Sequence, residues 1–135
     1  MKGKKIFIPL TSSDVCATYN LLYTQGLVLF PITASAVAQI ESIVSNINNP
    51  YFGVERYSTP EEKVVAYLYF LINDHPFTDG NKRTATLSFL TLCKLNGLEP
   101  NLEGFTLDQL AVTLEKTKAD HQEVIRLTVK LLFKK

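Results

Sequence analysis

An apolar run from Val64 to Ile72, with helix signals at both ends, constrains this chain's fold most strongly. The preceding Thr59-Pro60-Glu61-Glu62 segment offers a capping oxygen, a proline at the first helical position, and acids beside the positive helix end. After the run, Pro76 disfavours helical geometry in the residue before it, so the helix must end near Asp74. Because this helix is apolar on nearly every side, we expect it to be buried on most sides.

Five further segments carry helical periodicity or helix-capping signals. They run from about 13 to 25, across 36–47, from about 81 to a stop at Asn96-Gly97, from a capping box at Thr106-x-x-Gln109 onward, and from about 121 to 133. Alternating patterns typical of strands are missing apart from the short apolar stretch at residues 6–8, which is either a strand or extended chain. We therefore predict an all-α fold, and the 135 residues fit a single domain over 1–135.

Composition narrows the classes of partner and compartment. A net charge of +1 gives no broad attraction to nucleic acid, and no helix face is basic, which disfavours a DNA-binding regulator. Cys16 and Cys93 show no metal-binding or disulfide spacing and are expected to be two buried thiols. The longest apolar run is half of what a membrane-spanning helix needs, and the N-terminal residues do not resemble a signal peptide. We therefore expect a cytoplasmic protein without a membrane partner.

The segment from His75 to Arg83, His-Pro-Phe-Thr-Asp-Gly-Asn-Lys-Arg, concentrates chemistry between the two central helices. A histidine, with an ordinary pKa of about 6.5, can accept a proton from an attacking hydroxyl near pH 7. Asp79 supplies the hard oxygen ligand that suits Mg²⁺ when substrate phosphates provide the others. Phe77, between polar neighbours, is expected to anchor the loop in the core.

The second half of this segment has the features of an anion hole. Backbone N–H groups of Gly80, Asn81 and Lys82 lie where a new helix starts, so they can direct unsatisfied donors at phosphate oxygens. Arg83 can bind a phosphate through two parallel hydrogen bonds, while Lys82 acts as a mobile point charge. A complex of a nucleotide with a metal ion fits this arrangement.

Other motif interpretations fail on spacing. The Gly80-Asn81-Lys82 sequence is not a P-loop, because it lacks the upstream glycine and follows no predicted strand. His75 and Asp79 are four residues apart, as metal ligands on a helix would be, but Pro76 and Gly80 interrupt any continuous helix. Each residue alone is better explained by an ordinary polar loop, whereas their ordered combination favours a functional site.

The string HPFTDGNKR closely resembles the signature of the Fic/Doc family, roughly H-x-F-x-[D/E]-[G/A]-N-[G/K]-R. This resemblance implies an all-α helical bundle with the active loop between two central helices. It also implies His75 as general base, Asp79 as the magnesium ligand, and Gly80, Asn81, Lys82 and Arg83 as the phosphate-binding turn. The implied substrates are ATP or another nucleoside triphosphate and a Ser, Thr or Tyr hydroxyl of a target protein.

Two positions bear on which group is transferred. Family members that transfer AMP usually have glycine after the asparagine and a second arginine three residues beyond the first, where this chain has Lys82 and Thr86. Both departures resemble the Doc branch, which favours phosphoryl transfer. Pro76-Phe77 and Gly80 are closer to the AMP-transferring members, so adenylyl transfer stays open. A module that binds nucleotide or protein without turnover is a further alternative, disfavoured by the intact motif.

The resemblance also carries expectations about regulation and target binding. Residues 51–57 occupy the place of a flap that holds the target chain, and we predict a loop or small hairpin there. The chain lacks the family's inhibitory string [S/T]-x-x-x-E-[G/N], so inhibition would come from a separate antitoxin-like partner; a toxin role is family analogy only. His121, at a predicted helix start, is expected to be a surface residue.

Overall fold

The computed structural model describes residues 6–133, and this part of the chain contains six α-helices. They are α1 (Ser12–Thr24), α2 (Ala34–Asn48), α3 (Pro60–Asn73), α4 (Asn81–Leu95), α5 (Leu107–Lys116) and α6 (His121–Phe133). Each lies close to its predicted position, and no strand forms among the described residues beyond one isolated bridge. The predicted all-α fold is confirmed.

Helix α3 is the centre of the molecule and packs against α2, α4, α5 and α6. Every side chain from Val64 to Leu68 is fully buried, and Leu71 and Ile72 are almost completely so. Burying one such aliphatic side chain stabilises the fold by about 1.5–3 kcal/mol relative to exposure. The burial predicted from the apolar run is confirmed, and α3 therefore fixes the position of the loop that follows it.

The ends of α3 are set by local hydrogen bonds. The Thr59 hydroxyl accepts the N–H of Glu62, and the Glu62 carboxylate accepts the N–H of Thr59, each at 3.1 Å. At the other end the N–H of Asp74 donates to the carbonyl of Phe70, which closes the last helical turn. The chain then turns away at His75, just before the proline that the sequence marked as the stop.

The segment expected to form a flap contains a minimal hairpin. The backbones of Tyr51 and Val54 exchange two hydrogen bonds of 2.8 and 2.9 Å. Phe52 and Gly53 between them have φ of 50° and 78°, the left-handed conformations of a tight two-residue hairpin turn. This segment is one bridge and its turn, without extended strands.

The two cysteines differ from the expectation of two buried thiols. Cys93 on α4 is buried, and burial raises the pKa of its thiol to about 12. Cys16 on α1 is only half-buried, so the prediction was wrong for this residue. It lies toward the edge of a helix whose buried face is formed by Val15, Tyr19 and Leu22. Burial, which is incomplete here, also raises the pKa of the Cys16 thiol.

Two further expectations concern the surface and the N-terminal stretch. The apolar residues 6–8 belong to neither a helix nor a strand, and the backbone of Ile8 exchanges hydrogen bonds with the side-chain amide of Asn96. His121 is exposed, as expected, and its ring lies 5.6 Å from that of Phe70. Between residues 6 and 133, no helix has both the length and the apolar character that crossing a membrane requires.

Candidate active site

The loop between α3 and α4 begins with an unusual backbone conformation at His75. Its φ is +47°, a left-handed value that is uncommon outside glycine and costs on the order of 1–3 kcal/mol. The preceding carbonyl, that of Asp74, accepts a hydrogen bond of 2.6 Å from Nε2 of Gln39 on α2. The His75 side chain is 53% exposed. The bend therefore leaves the imidazole accessible to a second molecule.

Phe77 anchors the loop, as the sequence predicted. Its side chain is buried and stacks on the ring of Tyr19, with ring centroids 3.9 Å apart and planes 12° from parallel. The Tyr19 hydroxyl donates a hydrogen bond of 2.7 Å to the carbonyl of Phe30. The loop between α3 and α4 is thereby packed against α1 and tied to the connection between α1 and α2.

The side chain of Asn81 closes the loop on itself. Its Oδ1 accepts the N–H of Phe77 and its Nδ2 donates to the carbonyl of Phe77, both at 2.9 Å. The side-chain amide is thus committed to the shape of the loop. The backbone N–H of Asn81 belongs to the first turn of α4, where helix geometry provides no intrahelical acceptor. The backbone N–H of Asn81 thus has no helical partner, whereas its side-chain amide already holds the loop.

Gly80 is required by both conformation and space. Its φ is +80°, and a Cβ placed on it would lie 2.5 Å from Cγ1 of Val28. Real Cβ contacts do not become this short, so a larger residue fits only if the Val28 side chain or one of the two segments shifts. Its N–H donates to Oδ1 of Asp79 at 2.8 Å. The glycine therefore allows the α1–α2 connection to pack directly under the turn that opens α4.

A cleft of about 460 Å³ lies above this turn. All six predicted site residues line it, together with Leu27 and one side of α5. They are His75, Asp79, Gly80, Asn81, Lys82 and Arg83. The structure therefore brings the predicted base, carboxylate, helix N-terminus and two cations to one cavity, while their individual roles stay predictions.

Glu115, on the last turn of α5, is the main feature of the cleft that the sequence did not reveal. Its Oε1 accepts a hydrogen bond from Nζ of Lys82 at 3.0 Å, and its Oε2 lies 3.9 Å from Nε2 of His75. The hydrogen bond from Lys82 lowers the pKa of the Glu115 carboxyl, and the positive charge of Lys82 acts in the same direction. No local sequence signal indicates that α5 faces the loop.

Thr86 does not contribute a side chain to the cleft. It is buried on α4, and its hydroxyl donates a hydrogen bond of 3.1 Å to the carbonyl of Arg83. AMP-transferring relatives usually have a second arginine at this position. Here it holds a small threonine whose hydroxyl bonds to the backbone of its own helix. Arg83 itself is exposed and lines the cleft.

Comparison with known proteins agrees with this architecture. The family model described as the Fic/DOC family matches residues 9–93, which is more than half of the chain and includes the active loop. This chain belongs to the Fic/DOC family. No curated protein matches it at a significant level. Fic/DOC proteins are typically transferases, and the family implies nucleotide-dependent protein modification as the general activity.

Fic/DOC proteins typically use magnesium, and the cleft has a donor set that suits this ion. Among residues 6–133, no three His, Cys, Asp or Glu side chains gather into a protein-only metal site. Mg²⁺ does not need one, because it commonly binds one or two carboxylates and takes its remaining ligands from phosphates and water. Asp79, a carboxylate beside the helix N-terminus, fits that requirement.

Proposed function

We propose that this Fic/DOC protein transfers the γ-phosphoryl group of ATP, or of another nucleoside triphosphate, to a Ser, Thr or Tyr hydroxyl of a target protein. The proposal depends on one observation: an accessible imidazole, a helix N-terminus and two cations line the same cleft. Such a cavity can position a polyphosphate and a hydroxyl while stabilising the charge that moves during transfer.

The reaction assigns a distinct task to each residue. The target hydroxyl gives its proton to Nε2 of His75 as its oxygen forms a bond to the γ-phosphorus. The bond from that phosphorus to the β–γ bridging oxygen breaks, and ADP leaves with the electron pair. The N–H groups at the start of α4 and the charges of Lys82 and Arg83 bind the phosphate oxygens. Phosphoryl transfer depends chiefly on such positioning and charge stabilisation.

Asp79 is the residue that would hold magnesium in this scheme. When bound, the ion would neutralise part of the negative charge on the phosphates. The hydrogen bond from Gly80 keeps one carboxylate oxygen of Asp79 close to the helix N-terminus, where the phosphates are expected. This arrangement supports Asp79 as ligand without requiring a second protein carboxylate.

Two features support phosphoryl transfer over adenylyl transfer. Lys82 places a charged side chain in the cleft where an AMP-transferring relative usually has glycine. Position 86 on α4 holds a buried threonine. This position therefore has no second arginine that could bind the far end of a triphosphate. The polyphosphate site is therefore concentrated at the start of α4, near the imidazole.

The deciding experiment follows label from ATP into protein. The protein is incubated with Mg²⁺, cell extract and ATP labelled at either the α- or the γ-phosphate, with His75→Ala as control. Label from the γ-position alone is expected, and it should depend on His75. Label from the α-position, accompanied by adenine, would establish adenylyl transfer instead. No His75-dependent label from either position would leave a non-catalytic binding module as the function.

The nucleotide and the partner are tested in the same system. CTP, GTP and UTP are compared with ATP, since the predicted contacts are to phosphates and do not identify a base. An antitoxin-like inhibitor is proposed from the family alone, and a small protein that co-purifies with this chain and blocks labelling would support it. Full unrestrained activity of the chain in its native cell would refute it.

A further inference from the structure

A buried cation near the start of α3 has no task in the proposed reaction. The side chain of Lys63 is only 9% exposed, on a helix whose other buried residues are apolar or aromatic. Removing an ammonium group from water is costly unless charged or hydrogen-bonding groups surround it. The groups that Lys63 contacts therefore indicate what its burial achieves.

Lys63 joins three segments of the chain. Its Nζ lies 3.5 Å from the carbonyl oxygen of Ile47, in the last turn of α2. It also lies 3.6 Å from Oε2 of Glu55, which directly follows the hairpin at residues 51–54. The ring of Phe7 is the third partner, with its centroid 5.8 Å from Nζ, close enough for a cation–π attraction. Of these partners only Glu55 carries a charge.

The contacts with Ile47 and with Glu55 have different consequences. Carbonyl groups in the last turn of a helix have no intrahelical donor, and a cation beside them is favourable. Because α2 has no basic residue in its own last turn, Lys63 supplies this cation and so has a role in folding. The Glu55 side chain is 48% exposed, and an ion pair at such a position adds little to folding free energy. Its consequence is that it attaches the hairpin to α3.

A second contact attaches the same segment nearer the active loop. The side chain of Tyr57 is buried, and its ring meets the ring of Phe70 edge-on, with centroids 6.3 Å apart. Phe70 lies in the last turn of α3, which leads into the loop that carries His75. The segment from the hairpin to Tyr57 is therefore fixed to α3 at two points, one of them polar and exposed to solvent on one side.

The hairpin itself presents apolar side chains to solvent. Phe52, at its turn, is 87% exposed, and Tyr51 and Val54 are also largely exposed. Exposed apolar groups beside a short backbone pairing suit contact with an extended chain of another protein. In the proposed reaction such a chain has to bring its hydroxyl group to His75. The orientation of the hairpin then affects how well the target binds.

We propose that Lys63 is a positioning residue for the target protein: through its ion pair with Glu55, it holds the hairpin in the orientation that receives an extended target segment. This inference rests on the proposed function, because it concerns the protein that accepts the phosphoryl group. Lys63 does not line the cleft and acts only through Glu55 and the hairpin. Breaking the pair should therefore weaken target binding and leave nucleotide binding unchanged.

The test separates target binding from nucleotide binding in the full chain. Glu55→Gln removes the charge from the pair and leaves the contact of Lys63 with α2 in place. Glu123→Gln is the matched control, because Glu123 is equally exposed and is paired with Arg126 on α6. For each variant, His75-dependent γ-label entering proteins is measured at increasing concentrations of one cell extract. The affinity for MgATP is measured by calorimetry.

For Glu55→Gln we expect the extract concentration that gives half-maximal labelling to rise about two- to fivefold, the range that a partly exposed ion pair contributes. Maximal labelling and MgATP affinity should not change, which is the result of losing binding that is equal in ground and transition states. Amide hydrogens of residues 51–57 should exchange faster, while those of α3 stay protected. Raising the salt concentration should bring the parent toward the variant, because salt screens the pair.

Variants of Lys63 separate positioning from folding. Lys63→Arg keeps the charge and should retain most of the parent's response to extract. Lys63→Met should match Glu55→Gln in half-maximal labelling and should also lower Tm, because it removes the cation at the end of α2. A purely structural role for Lys63 would lower Tm in Lys63→Met and leave Glu55→Gln equal to the parent.

Each result distinguishes the inference from the proposed function. An unchanged response to extract in Glu55→Gln, or an equal rise in Glu123→Gln, overturns the inference and leaves the function standing if the parent transfers γ-label. A fall in maximal labelling or in MgATP affinity also overturns it, because the pair would then act on the nucleotide site. The expected rise with label from the α-phosphate supports the inference and overturns phosphoryl transfer. If the parent shows no His75-dependent label, both are overturned.

Discussion

Replacing Gly80 by alanine tests whether the turn that opens α4 depends on the close approach of Val28. The substitution imposes two costs. A left-handed conformation costs a residue with a Cβ about 1–2 kcal/mol, and the φ of Gly80 is +80°. The new Cβ would also lie 2.5 Å from Cγ1 of Val28, and overpacking of this kind typically costs about 1–3 kcal/mol. We expect a total destabilisation of about 2–5 kcal/mol.

The assay is urea and thermal unfolding followed by circular dichroism. For a chain of this size, a loss of that magnitude lowers Tm by roughly 6–20 °C. Gly97→Ala is the matched control, since Gly97 has a φ of +66° but nothing within 4 Å of the added Cβ. It should lose only the conformational part, about 1–2 kcal/mol.

A double variant isolates the contact between the two segments. Val28→Ala removes Cγ1, so in Val28→Ala/Gly80→Ala the two changes should cost less together than the sum of their separate effects. A coupling of about 1 kcal/mol or more is expected for groups in direct contact. Equal losses for Gly80→Ala and Gly97→Ala, with strict additivity in the double variant, would show that the Val28 contact is not what requires a glycine.

Three further predictions follow from the loop and the core. Asn81→Ala removes both hydrogen bonds to Phe77 and should destabilise the protein by about 1–3 kcal/mol in urea unfolding, whereas a loss below about 0.5 kcal/mol would contradict the closing role of this amide. His75→Gly should be at least as stable as the parent, because glycine accepts φ +47° without strain, while labelling of the target falls by about 10² or more. A clear destabilisation would show that the bend is not strained. The pKa of Cys93 is raised by burial to about 12, so the stability that this thiol contributes is complete below pH 9 and is lost as pH rises toward 12. Unfolding free energy should fall by about 1 kcal/mol between pH 9 and 10 because of this group, and Cys93→Ala should lack that part of the decline.

The helices could be predicted because their limits are encoded locally. Thr59, Pro60 and Glu62 form the start of α3 within four residues, and the box at Thr106 and Gln109 does the same for α5. Helix capping involves partners three residues apart, so a reader of the sequence sees both members. The predicted site residues all lie between positions 75 and 83. Because one short loop and the first turn of α4 carry them, they are close together in space.

What the sequence could not reveal are contacts between distant segments. Val28 meets Gly80 across 52 positions, and Glu115 meets Lys82 across 33. These contacts depend on how helices and connections pack, which is not determined by the residue types at either position. The sequence indicated that Asn81 lies at the start of α4. It did not indicate that the Asn81 side-chain amide forms two hydrogen bonds with the backbone of Phe77.

The stack of Tyr19 on Phe77 has a consequence for how the molecule opens. Tyr19 joins α1 to the active loop through its ring and to the α1–α2 connection through its hydroxyl, while Val28 packs beneath Gly80. Neither segment can leave the other without unstacking the rings or exposing Val28. Their amide hydrogens should therefore exchange with solvent as one cooperative unit, and a ligand that slows exchange in the loop should slow it in the α1–α2 connection as well.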